Sequence, residues 1–199
     1  MSTPMVKAIL NDTKTMTRRI IKPQPIREDI VSIGKLVTKW YAWDKYGLLI
    51  DGLKWICPFQ VGQILWVKET YMIKNPLTFE PMYKVDNETN QWGQLYKWKP
   101  SIFMPKKYAR IWLEIISIKV EKLQDISHDD IISEGWNLSY DDILNKGWNT
   151  QDILKPITYS QVARQWYQEL WGKINGGKKG FAWSDNPWVW RIEFKRIGK

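Results

Sequence analysis

Residues 110–123, RIWLEIISIKVEKL, carry the longest β pattern in the chain. Ile111, Leu113 and Ile115 recur every second position, which is the period of a strand that buries one face. Residues 64–71 and 187–197 carry further strand patterns, and each begins beside a turn-forming glycine or proline. These segments predict one mainly antiparallel, barrel-like sheet.

Helices are expected around this sheet. The limits of each helix are set by serine and threonine caps, by helical spacing of apolar residues and by terminal glycines or asparagines. The predicted helices are Thr3–Leu10, Ser127–Gly135, Ser139–Gly147 and residues 162–174. Short strands are predicted at 36–43 and 48–56. Residues 72–100 are interpreted as an insertion with short strands around Tyr83 and Tyr96. The predicted fold class is therefore α+β, with a mostly antiparallel β-barrel, surrounding helices and an insertion.

Composition narrows the class of protein. The chain has 199 residues, a formal net charge of +9 and a pI near 9.5. We expect a single domain over 1–199 with acidic partners, nucleic acid first and anionic small molecules second. Fourteen tryptophans favour flat ligands as well as a core. A single cysteine and a single histidine exclude an internal disulfide and cysteine- or histidine-rich metal sites, so no metal or cofactor is predicted.

No apolar run approaches the length of a membrane span, and the chain shows no secretory signal pattern. We therefore expect no membrane association and a cytoplasmic location. The sequence does not indicate an oligomeric state.

Residues 14–19, KTMTRR, concentrate groups that can take part in chemistry. They combine an amine, two hydroxyls and two guanidiniums. A lysine amine can activate a neighbouring threonine as a nucleophile, and a pair of arginines can hold phosphate. The alternative is a solvated basic turn after a helix, because charged runs usually face water.

Glu134 is the candidate acid. It lies in the last turn of a predicted helix, where the negative end of the helix dipole disfavours a carboxylate by about 0.3–1 kcal/mol. If it met Lys14 and Thr17, it would complete a hydroxyl–amine–acid set. A solvated surface glutamate is the alternative.

The chain resembles the ASCH domain family, whose fold is similar to the PUA fold. It is most similar to the longer ASCH proteins encoded by bacteriophages and prophages. The resemblance rests on separate blocks at residues 5–19, 61–70, 98–110, 123–135 and 186–194. The first block resembles the family signature G-x-K-x-x-T-x-R.

This resemblance implies a small β-barrel with a cleft lined by the signature. In ASCH enzymes that deacetylate N4-acetylcytidine, the catalytic set is a Lys, a Thr and a Glu, which the resemblance assigns to Lys14, Thr17 and Glu134. There are departures. The signature glycine is Asp12 here, Phe103 stands where phage relatives often carry histidine, and the 72–100 insertion is absent from the small enzymes.

Other residues are candidate binding groups. A phosphate track is predicted from the basic residues Arg18, Arg19, Lys106, Lys107 and Arg110, although such clusters also serve solubility. Candidate cleft residues are Glu69, Trp66 and Tyr71, with a solvent-facing role as the alternative for Glu69.

The functional prediction is a protein that binds a nucleoside, a nucleotide or RNA and that hydrolyses the amide of an acylated base. An RNA-binding module without activity and a ribonuclease stay open as alternatives. A structural or host-interaction protein of a phage is a further alternative, which the composition does not support.

Overall fold

A computed structural model describes residues 1–25, 32–36, 39–46, 48–55, 57–75, 77–87, 97–136 and 156–198. Its helices are α1 (Thr3–Leu10), α2 (His128–Ser133) and α3 (Pro156–Asn175). Its strands are β1 (Met16–Ile20), β2 (Ser32–Leu36), β3 (Lys39–Trp43), β4 (Leu49–Trp55), β5 (Ile64–Trp66), β6 (Tyr71–Asn75), β7 (Glu80–Tyr83), β8 (Trp112–Lys122) and β9 (Trp188–Ile197). Within these residues, no helix has the length and apolar character needed to cross a membrane.

The main sheet is antiparallel and curls into a half-barrel, with strand order β1–β9–β8–β5. It joins the segments that the sequence predicted as its principal strands. The long pair β8–β9 forms its centre, and a bulge between Ile115 and Ser117 shifts the register there. Such bulges increase local twist, which suits a curled sheet. The α+β class and the antiparallel sheet are therefore confirmed.

The sequence prediction was wrong in the length of one strand. Residues 64–71 do not form one continuous strand, since β5 ends at Trp66 and β6 begins at Tyr71. The ladder with β8 explains this, because Trp112, the first residue of β8, pairs with Trp66, and only one further hydrogen bond, from the Val67 amide to the Ile111 carbonyl at 3.0 Å, follows. The segment between them instead carries the buried Glu69.

The remaining strands form two smaller sheets, β2–β3–β4 and the β6–β7 hairpin. The predicted strand at 36–43 is in fact the end of β2 followed by β3, and the strand at 48–56 corresponds to β4. The hairpin includes the strand expected around Tyr83. The strand around Tyr96 and the Ser139–Gly147 helix fall outside the described residues.

Apolar clusters on both faces hold the half-barrel. On one face, Trp188, Trp190 and Ile192 of β9 pack with Trp40 of β3. On the other face, Val189 packs with residues of α2 and α3. Burying a large apolar side chain stabilises the fold by roughly 1.5–3 kcal/mol. Trp188 and Trp190 are therefore core residues and not an exposed stacking surface.

Candidate functional site

The turn after α1 brings Lys14 to the end of α2. The amides of Thr13 and Lys14 both donate to the carbonyl of Ala8, at 2.9 and 3.0 Å. Asp12 adopts a φ of 56°, a left-handed conformation that aspartate tolerates better than most residues. The position of the signature glycine thus keeps a glycine-like backbone. The result is an isolated antiparallel bridge between Lys14 and Glu134.

Lys14 and Glu134 form a buried ion pair. The Nζ of Lys14 lies 2.8 Å from Oε2 of Glu134, and the two residues are 5% and 4% exposed. The same Nζ donates to the backbone carbonyls of Met16 and Glu134, each at 2.8 Å. Three acceptors match the three N–H groups of an ammonium. All three N–H groups of the Lys14 ammonium are therefore hydrogen-bonded within the protein.

The other carboxylate oxygen of Glu134 has its own donors. Arg18 Nη1 and the hydroxyl of Tyr167 each donate to Oε1 at 3.3 Å. Burial raises the pKa of Tyr167 well above its ordinary value, and the neighbouring Glu134 carboxylate raises it further. Tyr167 therefore stays a neutral donor, and both oxygens of Glu134 are held by hydrogen bonds.

Arg18 lies at the centre of a larger network. It is 4% exposed, its Nε donates to Glu121 at 2.7 Å, and its Nη2 lies 2.5 Å from Asp130. Arg191 also holds Asp130, at 2.9 Å. Burial alone would raise the pKa of Asp130, but hydrogen bonds from Arg191 and the charge of Arg18 lower it. Burial raises the pKa of Glu121, although the positive charge of Arg18 acts to lower it.

Arg18, whose side chain is 0% exposed, therefore offers no accessible donor to the predicted phosphate track. Its guanidinium is buried and is used by Glu121, Asp130 and Glu134. The physical reason is strand alternation, which turns Met16 and Arg18 towards the helices.

Thr17 and Arg19 lie on the other face of β1. Thr17 is half-buried, and Arg19 is exposed. Within the described residues, no hydrogen bond joins the Thr17 hydroxyl to Lys14 or Glu134, whose contacts are made with other groups. The structure thus joins Lys14 and Glu134, two of the three predicted catalytic residues, and shows no hydrogen bond from the Thr17 hydroxyl to either of them among the described residues. The role of each in a reaction stays a prediction.

A second charged cluster surrounds Arg110. Its guanidinium donates to both carboxylate oxygens of Glu69, at 3.0 and 2.9 Å, and to Asp86 at 2.7 Å. It also stacks on the ring of Tyr83 at 3.9 Å. Burial acts to lower the pKa of Arg110, but the hydrogen bonds and charges of Glu69 and Asp86 outweigh it, so the pKa of Arg110 is raised. Glu69, 1% exposed, does not face solvent.

Arg110 is consequently a poor candidate for a phosphate track, since protein carboxylates already occupy its donors. It lies beside an open surface pocket of about 440 Å³, which Lys74, Glu80 and Asp86 also line.

The remaining predicted residues differ in accessibility. Lys106 and Lys107 are exposed on a 3₁₀ turn, Lys106–Tyr108, and form no ion pair with a described carboxylate. Trp66 is half-buried, with the Nζ of Lys68 5.2 Å from its ring. Tyr71 is buried, and its hydroxyl donates to the carbonyl of Phe103 at 3.3 Å.

Sequence reasoning missed the residues that support Glu134. Ser127, the predicted cap of α2, accepts a hydrogen bond from the Asp130 amide at 3.1 Å. The Asp130 carboxylate, however, binds Arg18 and Arg191. Tyr167 belongs to the apolar stripe of α3, which gives no signal that its hydroxyl reaches a carboxylate.

A scan against protein-family models and searches of curated proteins and of solved structures found no match for this chain.

Proposed function

We propose that this chain is an ASCH-type protein of PUA-like fold that binds RNA or a nucleotide. The observation that carries the proposal is how its charges are distributed. Carboxylates neutralise the buried cations Lys14 and Arg18, whereas Arg19, Lys106 and Lys107 are exposed and form no ion pair with a described carboxylate. The excess positive charge of the chain therefore lies on the surface, where it attracts phosphate.

The family assignment draws support from two features. The antiparallel half-barrel is compatible with a PUA-like fold. In addition, Lys14 of the signature block meets Glu134 of a block that lies 120 positions further along the chain.

Amide hydrolysis of an acylated base such as N4-acetylcytidine is a second candidate function, and the Lys14–Glu134 contact favours it. Lys14 donates three hydrogen bonds, so it must lose a proton before it can act as a base. Glu134 Oε2, at 2.8 Å, is placed to receive that proton. Substrate binding would also have to bring the Thr17 hydroxyl towards Lys14.

The reaction then has two steps. The Thr17 oxygen attacks the acyl carbon while its proton passes to the Lys14 amine. The carbon–nitrogen bond breaks, and the base nitrogen leaves with the proton that Lys14 took from Thr17. Water then hydrolyses the acyl-threonine, which releases the carboxylic acid and restores the hydroxyl.

The test separates binding from hydrolysis. Binding is measured by fluorescence anisotropy with a labelled single-stranded RNA at low salt, where an affinity that falls as salt is added is expected. Hydrolysis is measured by mass spectrometry after incubation with a panel of acylated nucleosides. Absence of RNA and nucleotide binding at low salt would contradict the main proposal.

Matched variants test the second candidate. Thr17→Val, which removes the hydroxyl and keeps the shape, should abolish turnover, and Thr17→Ser should retain it. Glu134→Gln should impair turnover in protein whose circular dichroism is unchanged. The Thr17→Val/Lys14→Met double variant should be no slower than Thr17→Val alone, because residues that act as a unit are not additive. Full activity of Thr17→Val would exclude the mechanism.

A further inference from the structure

Two adjacent apolar side chains, Ile102 and Phe103, project from the surface and are 69% and 68% exposed. They lie in the 3₁₀ turn Ser101–Phe103, next to the turn that carries Lys106 and Lys107. Exposure of one large apolar residue is ordinary, but two neighbouring ones beside several lysines form a distinct surface. We call Ile102 and Phe103 the apolar tip.

Hydrogen bonds from two neighbouring side chains fix the backbone of the apolar tip. Lys68 Nζ donates to the carbonyl of Ile102 at 3.0 Å, and the Tyr71 hydroxyl donates to the carbonyl of Phe103 at 3.3 Å. The next residue, Met104, is 2% exposed and anchors the turn in the core. The tip is thus presented by an ordered backbone, which lowers the entropy cost of binding through it.

Exposed lysines flank the tip along the chain. Lys99 precedes it, and Lys106 and Lys107 follow it, with their amines over the rings of Trp112 and Tyr108. An exposed aromatic ring bordered by lysines matches a polymer of flat bases and phosphates, because the ring can stack on a base while the lysines contact the backbone. A base inside a duplex already stacks on its neighbours, and separating them costs a few kcal/mol, so an unpaired base is the one that an exposed side chain takes up at least cost.

We infer that Phe103 stacks on an unpaired base of single-stranded nucleic acid, with Lys106 and Lys107 contacting its phosphates. This inference rests on the proposed function and narrows it to a single-stranded partner. It assigns recognition to a surface that none of the predicted catalytic residues occupies.

The test compares variants of the full chain by anisotropy with a labelled single-stranded RNA and with its duplex. Phe103→Leu keeps an apolar side chain but removes the aromatic ring. It should weaken single-strand binding by roughly five- to 150-fold, the range found when an aromatic side chain that stacks on one base is replaced by alanine. Phe103→Trp should bind like the wild type. Phe79→Leu is the control, since Phe79 is also exposed, at 59%, in the connection between β6 and β7.

The outcomes distinguish the inference from the proposed function. If the wild type binds RNA and Phe103→Leu binds equally well, the inference is overturned and the proposed function stands. If the wild type binds no RNA at low salt, both are overturned. Vesicles of phosphatidylserine and phosphatidylcholine form the last arm. Tight vesicle binding that Phe103→Ser abolishes, while its RNA binding is unchanged, would overturn the inference and assign the tip to a membrane surface instead.

Discussion

The charge of Lys14 is balanced by one carboxylate and by two backbone carbonyls that fix its position. A buried ion pair contributes little net stability, but removing one partner costs about 3–5 kcal/mol, because an uncompensated charge is left behind. Lys14 and Glu134 therefore tie the turn after α1 to the end of α2. The same arrangement supplies the proton acceptor that the proposed hydrolysis requires.

Tyr167 gives this site a predicted dependence on alkaline pH. Its pKa is raised in the folded protein, so its contribution to stability is complete below the unfolded pKa of about 10 and is lost as pH rises further. Between the wild type and Tyr167→Phe, the difference in unfolding free energy should be constant at neutral pH. Above pH ~10 the wild type should lose up to about 1.4 kcal/mol per pH unit relative to the variant. Urea unfolding followed by tryptophan fluorescence measures this.

The control is Tyr46→Phe, since the Tyr46 ring is 75% exposed and its replacement should leave the unfolding free energy at neutral pH unchanged. Parallel pH profiles for the wild type and Tyr167→Phe would show that the Tyr167 hydroxyl ionises as easily in the folded protein as in the unfolded chain.

At the level of elements, Gly135 sets the end of α2 and therefore the direction of Glu134. Its φ is +98°, and its amide donates to the carbonyl of Ile132 at 2.8 Å, as in a helix that ends with a left-handed glycine. A Cβ at this position would lie 3.2 Å from the Cβ atoms of both Ala8 and Lys14. The glycine thus permits the close approach of α1, α2 and the Lys14 turn.

Gly135→Ala should accordingly destabilise the protein more than Gly62→Ala. Both glycines have positive φ, and an alanine there costs roughly 1–2 kcal/mol. Around Gly62 no described atom lies within 4 Å of the added Cβ, so that variant carries the backbone cost alone. Crowding should add about 1–3 kcal/mol at Gly135. Urea unfolding measures the loss of unfolding free energy in both variants. Equal losses would show that α1 and Lys14 shift to accommodate the added methyl group without destabilising the protein.

The elements also show what the sequence can predict. Caps, glycines and alternation are local signals, so α1, α2, the end of α3 and the three principal strands could be predicted. The end of β5 could not, because it depends on where β8 begins. Likewise, the burial of Arg18 follows from the position of Asp130 and Glu121, which only the folded chain brings near. A charged residue in a sequence does not reveal whether its partner is water, phosphate or a carboxylate.

Across the whole molecule, charge is divided between the interior and the surface. Carboxylates face inward onto Arg18, Arg191 and Arg110, and pairs of exposed lysines occupy separate turns. One pair is Lys106 and Lys107, beside the apolar tip, and the other is Lys178 and Lys179, in the loop after α3. The two pairs carry the same charge. Replacing each pair in turn therefore distinguishes a local phosphate contact from a general attraction between RNA and the basic protein.

This comparison yields a prediction about salt. Each phosphate contact on a single strand contributes roughly 0.7 to the slope of log affinity against log salt concentration, through release of counterions. Lys106→Ala/Lys107→Ala should therefore reduce the slope for single-stranded RNA by about 1.4, whereas Lys178→Ala/Lys179→Ala should leave it unchanged. Anisotropy titrations over a series of salt concentrations measure both slopes. Equal reductions in the two double variants would mean that RNA responds to net charge alone, and an unchanged slope after loss of Lys106 and Lys107 would place the phosphate contacts elsewhere.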